Sequence, residues 1–484
     1  DNQGRNGAAV YNTGTVDLYG DVINNIGNRG AAIANTGALT IHKGTYSGNV
    51  STGTSTDGSG GAIYSTQDAT AVVTIHDGKF YDNETRKGSG GFIQCGRTLI
   101  VNGGEFYGNK AVDGGGAIAI AGANNGTVTI TNAIMHDNSL TGSRYGGGAV
   151  YSSVNKAFTL KNCNIYENNK EYATLTNPGS DISLAAANAT LSLIDNISVG
   201  LVQLRNNTAS INMQEEYTGK LILVPYNNNY TIGLKLVTFA KGTSGSANQI
   251  VVRKYASKAE WNDDAYCVDT VGTLQWKNPQ AKIGETIYAT LAEAIAAAVD
   301  GDTVSVLKDI EVSGTINISD NKAITITNVS GKDVKLTRIV NEAMFTVASG
   351  STLTIGSADK ANAIILDGGY EEKAEAPRKT VPLVSNTGTF TLEANATIQN
   401  AVTGGSDNND SFRGGALNNK ANATATVKGT IRGCSAYNGG AIYNATSGEV
   451  VITESAYIAE NTADGGNGGA VRNEGTLSIT GTTF

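Results

Sequence analysis

The sequence predicts an all-β chain folded as a right-handed parallel β-helix, in which short strands wind into coils that stack along one axis. Two observations lead to this fold class. A Gly-Gly-Ala-Ile-like tetrapeptide occurs nine times, and its first six copies start 23 to 32 residues apart, a period typical of solenoids. The composition agrees, because 61 glycines and only 5 prolines are typical of an ordered, turn-rich β protein.

The tetrapeptide marks the first strand of each predicted coil. Its glycines allow a tight corner, through a positive φ or through the lack of a Cβ. Its last residue is aliphatic. Since equivalent residues of successive coils stack on one another, these aliphatic positions predict one inward ladder, made of Ile33, Ile63, Ile93, Ile118 and Val150.

Two further β-rich stretches follow each tetrapeptide, so we expect three strands per coil. The last stretch ends in Asn, and an inward Asn at a corner can satisfy backbone groups that water does not reach. The segment between this Asn and the next Gly-Gly varies in length, as in Val50–Ser59 and Glu84–Ser89, which predicts loops along one edge. The predicted Asn ladder consists of Asn49, Asn83, Asn109, Asn138 and Asn168.

A weakening of the repeat signature from about residue 181 to residue 276 predicts two consecutive β-helical modules, 1–277 and 278–484. The first module should end in degenerate coils that close its core.

A capping box, Thr290 to Glu293, predicts a short helix at about 290–299 over the first coil of the second module. Its expected apolar face is Leu291, Ile295 and Val299, and the first strand is expected at 303–307. The signature returns at Gly414, Gly439 and Gly468, with Cys434 at an Asn position.

Charge and hydropathy argue against two classes of partner. The net charge is -8 and no cluster of Lys and Arg occurs, so we expect no nucleic-acid partner. No apolar run is long enough to span a bilayer, so we expect no membrane insertion. The four cysteines are far apart in the sequence and are interpreted as buried or isolated thiols: Cys95, Cys163, Cys267 and Cys434.

We assign no catalytic, cofactor-binding or metal-binding residue from the sequence. The acidic pairs Asp263–Asp264 and Glu371–Glu372 are interpreted as solvated loop charges, because neither has a repeat-equivalent partner. His42 and His76 are expected to stack outward, although a metal site is the alternative. The run Asp407–Asp410 offers oxygen ligands for calcium, with a polar loop as the favoured interpretation. Four aromatic residues are expected to fill a core, with sugar stacking as the alternative: Trp261, Trp276, Tyr226 and Tyr230.

At these motifs the chain resembles the Gly-Gly-Ala-Ile and Phe-x-x-Asn repeats of chlamydial polymorphic outer membrane proteins. It also resembles large adhesin-like surface proteins of gut bacteria and methanogenic archaea. The segment Ile287–Ile295 is similar to the first coil of many secreted pectate-lyase-like solenoids. The resemblance implies export, display on the cell surface and adhesion.

We therefore expect a non-enzymatic, extracellular adhesin or stalk segment that contacts glycans or proteins of host or neighbouring cells. One residue added between Phe484 and Asp1 would restore a corner such as Gly78–Asn83. A fragment of a longer array or a subunit that stacks end to end on itself in a filament would both explain this. A polysaccharide lyase or hydrolase is the third hypothesis, because parallel β-helices also host such enzymes.

Overall fold

Short strands, most of them paired in parallel, are the main element of the computed structural model. It describes residues 2–54, 58–122, 126–142, 144–169, 180–215, 217, 219–225, 231–242, 244–254, 262–358, 361–370, 380–404, 412–481 and 484, with the backbone alone at 245, 254 and 262–264. Contacts within the chain divide it into unit 1, Asp1–Lys277, and unit 2, Asn278–Phe484. In both units most strands pair in parallel with their equivalents in the coils before and after them. The predicted fold class, an all-β parallel β-helix, is confirmed.

The first coils of unit 1 pass through four sheets, named A to D in the order in which the chain reaches them. Sheet A contains Gln3–Asn6, Ile26–Arg29, Val50–Ser51, Glu84–Thr85, Lys110–Ala111 and Ser139–Leu140. Sheet B contains Val10–Asn12, Ile33–Asn35, Ile63–Ser65, Ile93–Cys95, Ile118–Ile120, Val150–Ser152, Ile182–Leu184, Leu201–Leu204, Leu221–Val224, Ile250–Lys254, Asn262–Val268 and Leu274–Trp276. Sheet C contains Thr15–Leu18, Ala38–Ile41, Val72–Ile75, Thr98–Val101, Val128–Thr131, Ala157–Lys161, Thr190–Ile194, Ser210–Met213 and Val237–Phe239. Sheet D contains Val22–Ile23, Thr45–Ser47, Lys79–Tyr81, Gly104–Tyr107, Ala133–His136, Asn164–Tyr166 and Ser198–Val199.

The expectation of three strands per coil is wrong for these coils, because sheet A adds a fourth strand directly after the Asn corner. Most of its strands have two residues, as in Val50–Ser51 and Glu84–Thr85. A strand of two residues is too short to show the alternation of apolar and polar residues that identifies a strand in a sequence. The inward side chains here are also small, for example Ser51 and Ala111.

The last strands of sheet B change direction. Ile250–Lys254 still pairs in parallel with the preceding strand, whereas Asn262–Val268 and Leu274–Trp276 pair antiparallel. A 3₁₀ helix, Ser244–Gln249, precedes them. Unit 1 therefore ends in an antiparallel meander, which the expectation of degenerate coils alone did not include.

Alternating burial along the strands forms the core of unit 1. In Val72–Ile75, for example, Val73 and Ile75 are fully buried, while Val72 and Thr74 are partly exposed. Aromatic rings fill the wider part of the interior, where Phe80 lies 4.7 Å from Phe92 and 4.6 Å from Phe106 between ring centroids. The apolar interior is continuous through the stacked coils.

Unit 2 repeats the arrangement in sheets E to H. Sheet E contains Thr286–Tyr288, Ala281–Ile283, Thr303–Val306, Ala323–Asn328, Thr352–Ile355, Thr389–Leu392, Thr424–Val427, Glu449–Ile452 and Thr476–Ile479. Sheet F contains Ile310–Val312, Val334–Arg338, Ile364–Asp367, Ala396–Gln399, Thr430–Arg432 and Tyr457–Ala459. Sheet G contains Ile316–Ile318, Phe345–Val347, Val384–Asn386, Leu417–Asn419, Ile442–Asn444 and Val471–Asn473. Sheet H contains Ser435–Ala436 and Thr462–Ala463.

A helix, Leu291–Ala297, lies at the start of unit 2 and buries Leu291, Ala294 and Ile295. Its capping box is present, because Thr290 Oγ1 accepts a hydrogen bond from the backbone N–H of Glu293, and the Glu293 carboxylate accepts one from Thr290. The expected extension to Val299 is wrong: Ala298 is extended, and Val299 is 64% exposed. The side chain of Asp302 accepts a hydrogen bond from the backbone N–H of Val299, which favours a turn there.

Candidate functional site

The aliphatic residues of the Gly-Gly-Ala-Ile motif lie in register in sheet B. Each pairs with its equivalent in the next coil, and all are fully buried. They form a column on the inner face of the sheet, where they contact only other residues of the core. The column consists of Ile33, Ile63, Ile93, Ile118 and Val150.

The corner asparagines form a chain of hydrogen bonds from coil to coil. In each step the side-chain N–H of one Asn donates to Oδ1 of the next, as from Asn83 to Asn109 at 2.9 Å. From Asn49 onward, each side-chain amide also donates to a backbone carbonyl of the preceding coil, as Asn109 does to Phe80 at 2.7 Å. The chain runs through Asn2, Asn25, Asn49, Asn83, Asn109, Asn138 and Asn168.

Asp181 accepts the last step of this chain. Its Oδ1 accepts hydrogen bonds from the backbone and the side chain of Asn168, and its Oδ2 accepts one from the backbone N–H of Leu201. Burial raises the pKa of the Asp181 carboxyl despite these donors. The sequence interpretation did not include Asn2, Asn25 or Asp181, and at Asp181 the ladder continues through a residue other than Asn.

A second buried amide ladder follows the strands of sheets B and G. Asn12 donates to Asn35 at 2.7 Å in unit 1. In unit 2 Asn386, Asn419, Asn444 and Asn473 form a continuous series at 2.6 to 2.9 Å. Sequence reasoning missed this ladder, although an Asn two residues before a glycine, as in Asn12 and Gly14, marks several of its positions. Both ladders hold successive coils together.

His42 and His76 lie in an outward stack beside sheet C. The ring of His42 is 4.1 Å from that of Tyr19 and 5.2 Å from that of His76, and His42 Nε2 lies 2.9 Å from Asp17 Oδ1. Within the described ranges, no three His, Cys, Asp or Glu side chains gather closely enough to hold a metal ion.

A longer stack of rings, the ring ladder, covers the outer face of sheet D. Its members are Tyr81, Tyr107, His136 and Tyr166, and successive ring centroids are 4.8, 5.4 and 5.4 Å apart. His136 lies 2.8 Å from the Asp137 carboxylate and 3.3 Å from that of Glu105. Partial burial and then nearby negative groups raise the pKa of Tyr107. The ladder's outer edge therefore combines phenol hydroxyls with carboxylates.

A groove of about 540 Å³ opens beside the ring ladder, at the corner between sheets C and D. Its wall includes Ile134, Asn164, Ser198, Asp195 and Glu215. Lys161 Nζ lies 3.0 Å from Asp195 Oδ2. The hydrogen bond from Lys161, supported by one with Glu215, holds the pKa of Asp195 below its usual range. The sequence interpretation missed this cluster, because its members come from three different coils.

The chain matches no protein-family model and no curated protein. Within the described residues, no helix combines the length and the apolar character that a membrane crossing requires.

The other residues singled out from the sequence are dispersed or lie outside the description. Only the backbone of Asp263–Asp264 is described, whereas Glu371–Glu372 and Asp407–Asp410 lie outside the described residues, as do Trp261, Tyr226 and Tyr230. Trp276 stacks on Tyr266 with ring centroids 4.5 Å apart.

The four cysteines are unpaired thiols, with Cys95, Cys163 and Cys434 buried and Cys267 partly exposed. Burial raises the pKa of Cys434 to about 12 and that of Cys95 to about 11.

Proposed function

We propose that this chain is a non-enzymatic segment of an extracellular surface protein, in which a β-helical rod presents its outer faces for attachment to glycans or proteins of other cells. The observation that carries the proposal is the stacking of coils within each unit, where successive coils are hydrogen-bonded through strands and amide ladders. Each unit therefore keeps its surface groups at fixed spacing along its own axis. The resemblance of the repeat motifs to surface adhesins supports the location.

The placement of the connections is consistent with this role. In unit 1, the segments between sheet A and sheet B differ in length from coil to coil, as between Thr85 and Ile93 or between Leu140 and Val150. They all follow the same corner, so they lie along one edge of the unit. Loops held by a fixed scaffold are a common way to present binding residues.

An attachment assay tests the proposal. Beads coated with the chain should adhere to cultured epithelial cells or to bacterial cells more than beads coated with an unrelated acidic protein. Soluble chain added in excess should compete for the same sites and release them. Adhesion no greater than that of the control protein on every surface tested would contradict the proposal.

End-to-end association of copies is a second candidate function. Residues 7–20 and 468–481 share the pattern Gly-x-Ala-Val-x-Asn-x-Gly-Thr, followed by Gly five residues later. Placing residues 468–481 of one copy before residues 7–20 of the next would continue the amide ladder. Asn473 accepts from Asn444 at the end of its series, and its own side-chain N–H would then donate to Asn12, which already donates to Asn35. Electron microscopy of the purified chain should then show fibres, and Asn12→Lys should abolish them.

The groove near Asp195 gives the enzyme hypothesis a concrete test. Glycosidases place two carboxyl groups about 5 Å apart, or roughly 6.5 to 9.5 Å apart, to leave room for a sugar carbon or a water. Asp195 and Glu215 both line the groove, and the hydrogen bond from Lys161 holds the pKa of Asp195 below its usual range. A general acid of a glycosidase instead needs a raised pKa. This favours attachment over hydrolysis, and we expect no release of reducing sugar from plant or mucin polysaccharides.

A further inference from the structure

The ring ladder of sheet D ends at a ring with one uncovered face. Residues in the same place of successive coils are Tyr81, Tyr107, His136 and Tyr166. The next strand pairs Ser198 with Asn164 and Val199 with Ile165, so that Gly200 follows opposite Tyr166. Among the described residues, His136 is the ring stacked on Tyr166, and the glycine on its other side has no side chain to cover it. Tyr166 is 37% exposed.

The packing around position 200 leaves no room for a side chain. A Cβ at this position would come within 2.3 Å of Asp181 Oδ2. That oxygen is already held by the backbone N–H of Leu201 at 2.9 Å. The step from Tyr166 to Gly200, which we call the notch, therefore has no side chain at its Gly200 end.

The notch lies next to the groove. Asn164 and Ser198, which line the groove, precede Tyr166 and Gly200 by two residues on the same outer face. Two residues along a strand span about 7 Å, which is about the width of one sugar ring. A ligand that covers the ring of Tyr166 would thus reach the amide of Asn164 and the hydroxyl of Ser198. The volume of about 540 Å³ is in the range of small-ligand sites.

The negative charge around the ring ladder and the groove favours uncharged ligands over anionic ones. Four carboxylates surround the ring ladder and the groove, those of Glu105, Asp137, Asp195 and Glu215, and the nearby Lys161 is already engaged by Asp195. A polyanion would be repelled here, because like charges in close proximity are destabilising. An uncharged ligand with an apolar face and many hydroxyls meets no such penalty.

We propose that Tyr166, Gly200, Asn164 and Ser198 form a binding subsite for one sugar residue of an uncharged glycan. The negative face of the tyrosine ring attracts the weakly positive C–H face of the sugar. Asn164 and Ser198 then exchange hydrogen bonds with its hydroxyls, which fixes its orientation. This inference rests on the proposed attachment function and names the class of ligand and its location.

Isothermal titration with four hexasaccharides tests the subsite: cellohexaose, mannohexaose, chitohexaose and hexagalacturonate. At least one of the three uncharged probes should bind, and the acidic one should bind more weakly. Tyr166→Ala should weaken the binding of that probe about tenfold or more, whereas Tyr166→Phe should retain it. The matched control is Tyr457→Ala, which removes a tyrosine of somewhat greater exposure, 47%, from unit 2.

Three results would overturn the subsite: no binding of any probe, tighter binding of hexagalacturonate, or equal losses in Tyr166→Ala and Tyr457→Ala. The bead assay separates this failure from failure of the proposed function. Beads that adhere although no probe binds would leave attachment standing and remove the subsite. Beads that fail to adhere although a probe binds would remove attachment as the function while leaving the sugar site.

Discussion

At the scale of single residues, asparagine suits the corner because its side chain is both donor and acceptor. Asn109 accepts hydrogen bonds from the backbone and the side chain of Asn83, and it donates to Asn138 and to the carbonyl of Phe80. Neighbouring hydrogen bonds of this kind polarise one another in a dry interior. A residue with only donors or only acceptors would end the series, as Asp181 does.

Asn109→Ala should lower the free energy of unfolding by about 3 kcal/mol, because it leaves several buried donors and acceptors without partners at about 1–3 kcal/mol each. The effect should be local to neighbouring coils. Urea unfolding followed by circular dichroism measures the loss, and hydrogen exchange of the amides of Asn83 and Asn138 locates it.

The matched control is Asn102→Ala, which removes an exposed amide from an adjacent corner. It should change stability by less than about 0.5 kcal/mol, as surface substitutions usually do. Equal effects of the two substitutions would contradict the structural role of the buried ladder.

The residue scale also shows how far the sequence could predict the site. The buried aliphatic and Asn positions recur in every repeat, so their periodicity is visible without a structure. The ring ladder follows the same periodicity, because Tyr81 and Tyr107 each come directly after a buried Phe. The third member is His136 rather than a tyrosine, so the repeat is hard to recognise in the sequence. The notch at Gly200 was not predictable, because it depends on the pairing of a segment that lacks the motif.

At the scale of elements, the glycines of the motif make room for the neighbouring coil. Gly116 has no unusual φ, yet a Cβ there would lie 2.2 Å from the carbonyl oxygen of Gly148 and 2.8 Å from the backbone nitrogen of Ser139. Both neighbours are backbone atoms held by the stacking, so they cannot move aside without shifting a coil. Glycine at position 116 is thus a packing requirement of its own coil, whereas Ala8 and Ala31 occupy the equivalent position in the first two copies of the motif.

Gly116→Ala should therefore destabilise unit 1 by about 3 kcal/mol, at the upper end of the cost of overpacking. Thermal or urea unfolding of the full chain measures this cost. Gly20→Ala is the control, since a Cβ at Gly20 meets no atom within 4 Å. A stability of Gly116→Ala equal to that of Gly20→Ala would mean that the coils can separate at this corner.

The helix Leu291–Ala297 depends on its first turn. Thr290→Ala removes the hydroxyl that accepts from the backbone N–H of Glu293, and it should cost about 1 kcal/mol, as the loss of an N-cap usually does. Hydrogen exchange at Glu293 should accelerate in this variant. Thr290→Ser retains the hydroxyl and should leave both quantities close to the parent values, whereas parallel losses in both variants would contradict the capping role.

The sequence predicted elements well where local signals were strong. Thr290 and Glu293 mark the helix start, and alternation marks strands of four residues such as Val72–Ile75. It did not predict sheet A, the antiparallel meander or the hairpin Ala281–Tyr288, which pairs antiparallel with Thr303–Val306. The direction of pairing depends on contacts between distant segments, which local composition does not encode.

At the scale of the whole molecule, the buried apolar side chains of the described residues form one large cluster in each unit. Buried thiols occur in both, with Cys95 and Cys163 in unit 1 and Cys434 in unit 2. Each thiol becomes reactive only when its own surroundings open. The thiols thus serve as built-in reporters of the stability of each unit.

Thiol labelling across a urea series should resolve two transitions. Gly116→Ala should shift the labelling of Cys95 and Cys163 to lower urea and leave that of Cys434 unchanged, because nearest-neighbour contacts carry most of the stability of stacked repeats. Mass spectrometry of the labelled peptides measures each site separately. An equal shift at Cys434 would show that the two units unfold as one.

The one-way order of the Asn ladder has a consequence for how such a protein changes its length. Every coil offers the same donor to its successor and the same acceptor to its predecessor, so whole coils are interchangeable building blocks. Deletion of residues 84–109, for example, would join Asn83 to Lys110, the register partner of Glu84, and would bring Asn83 against Asn138. Recombination between repeats would therefore shorten or lengthen unit 1 by whole coils, and such a deletion variant should keep the circular dichroism of the parent.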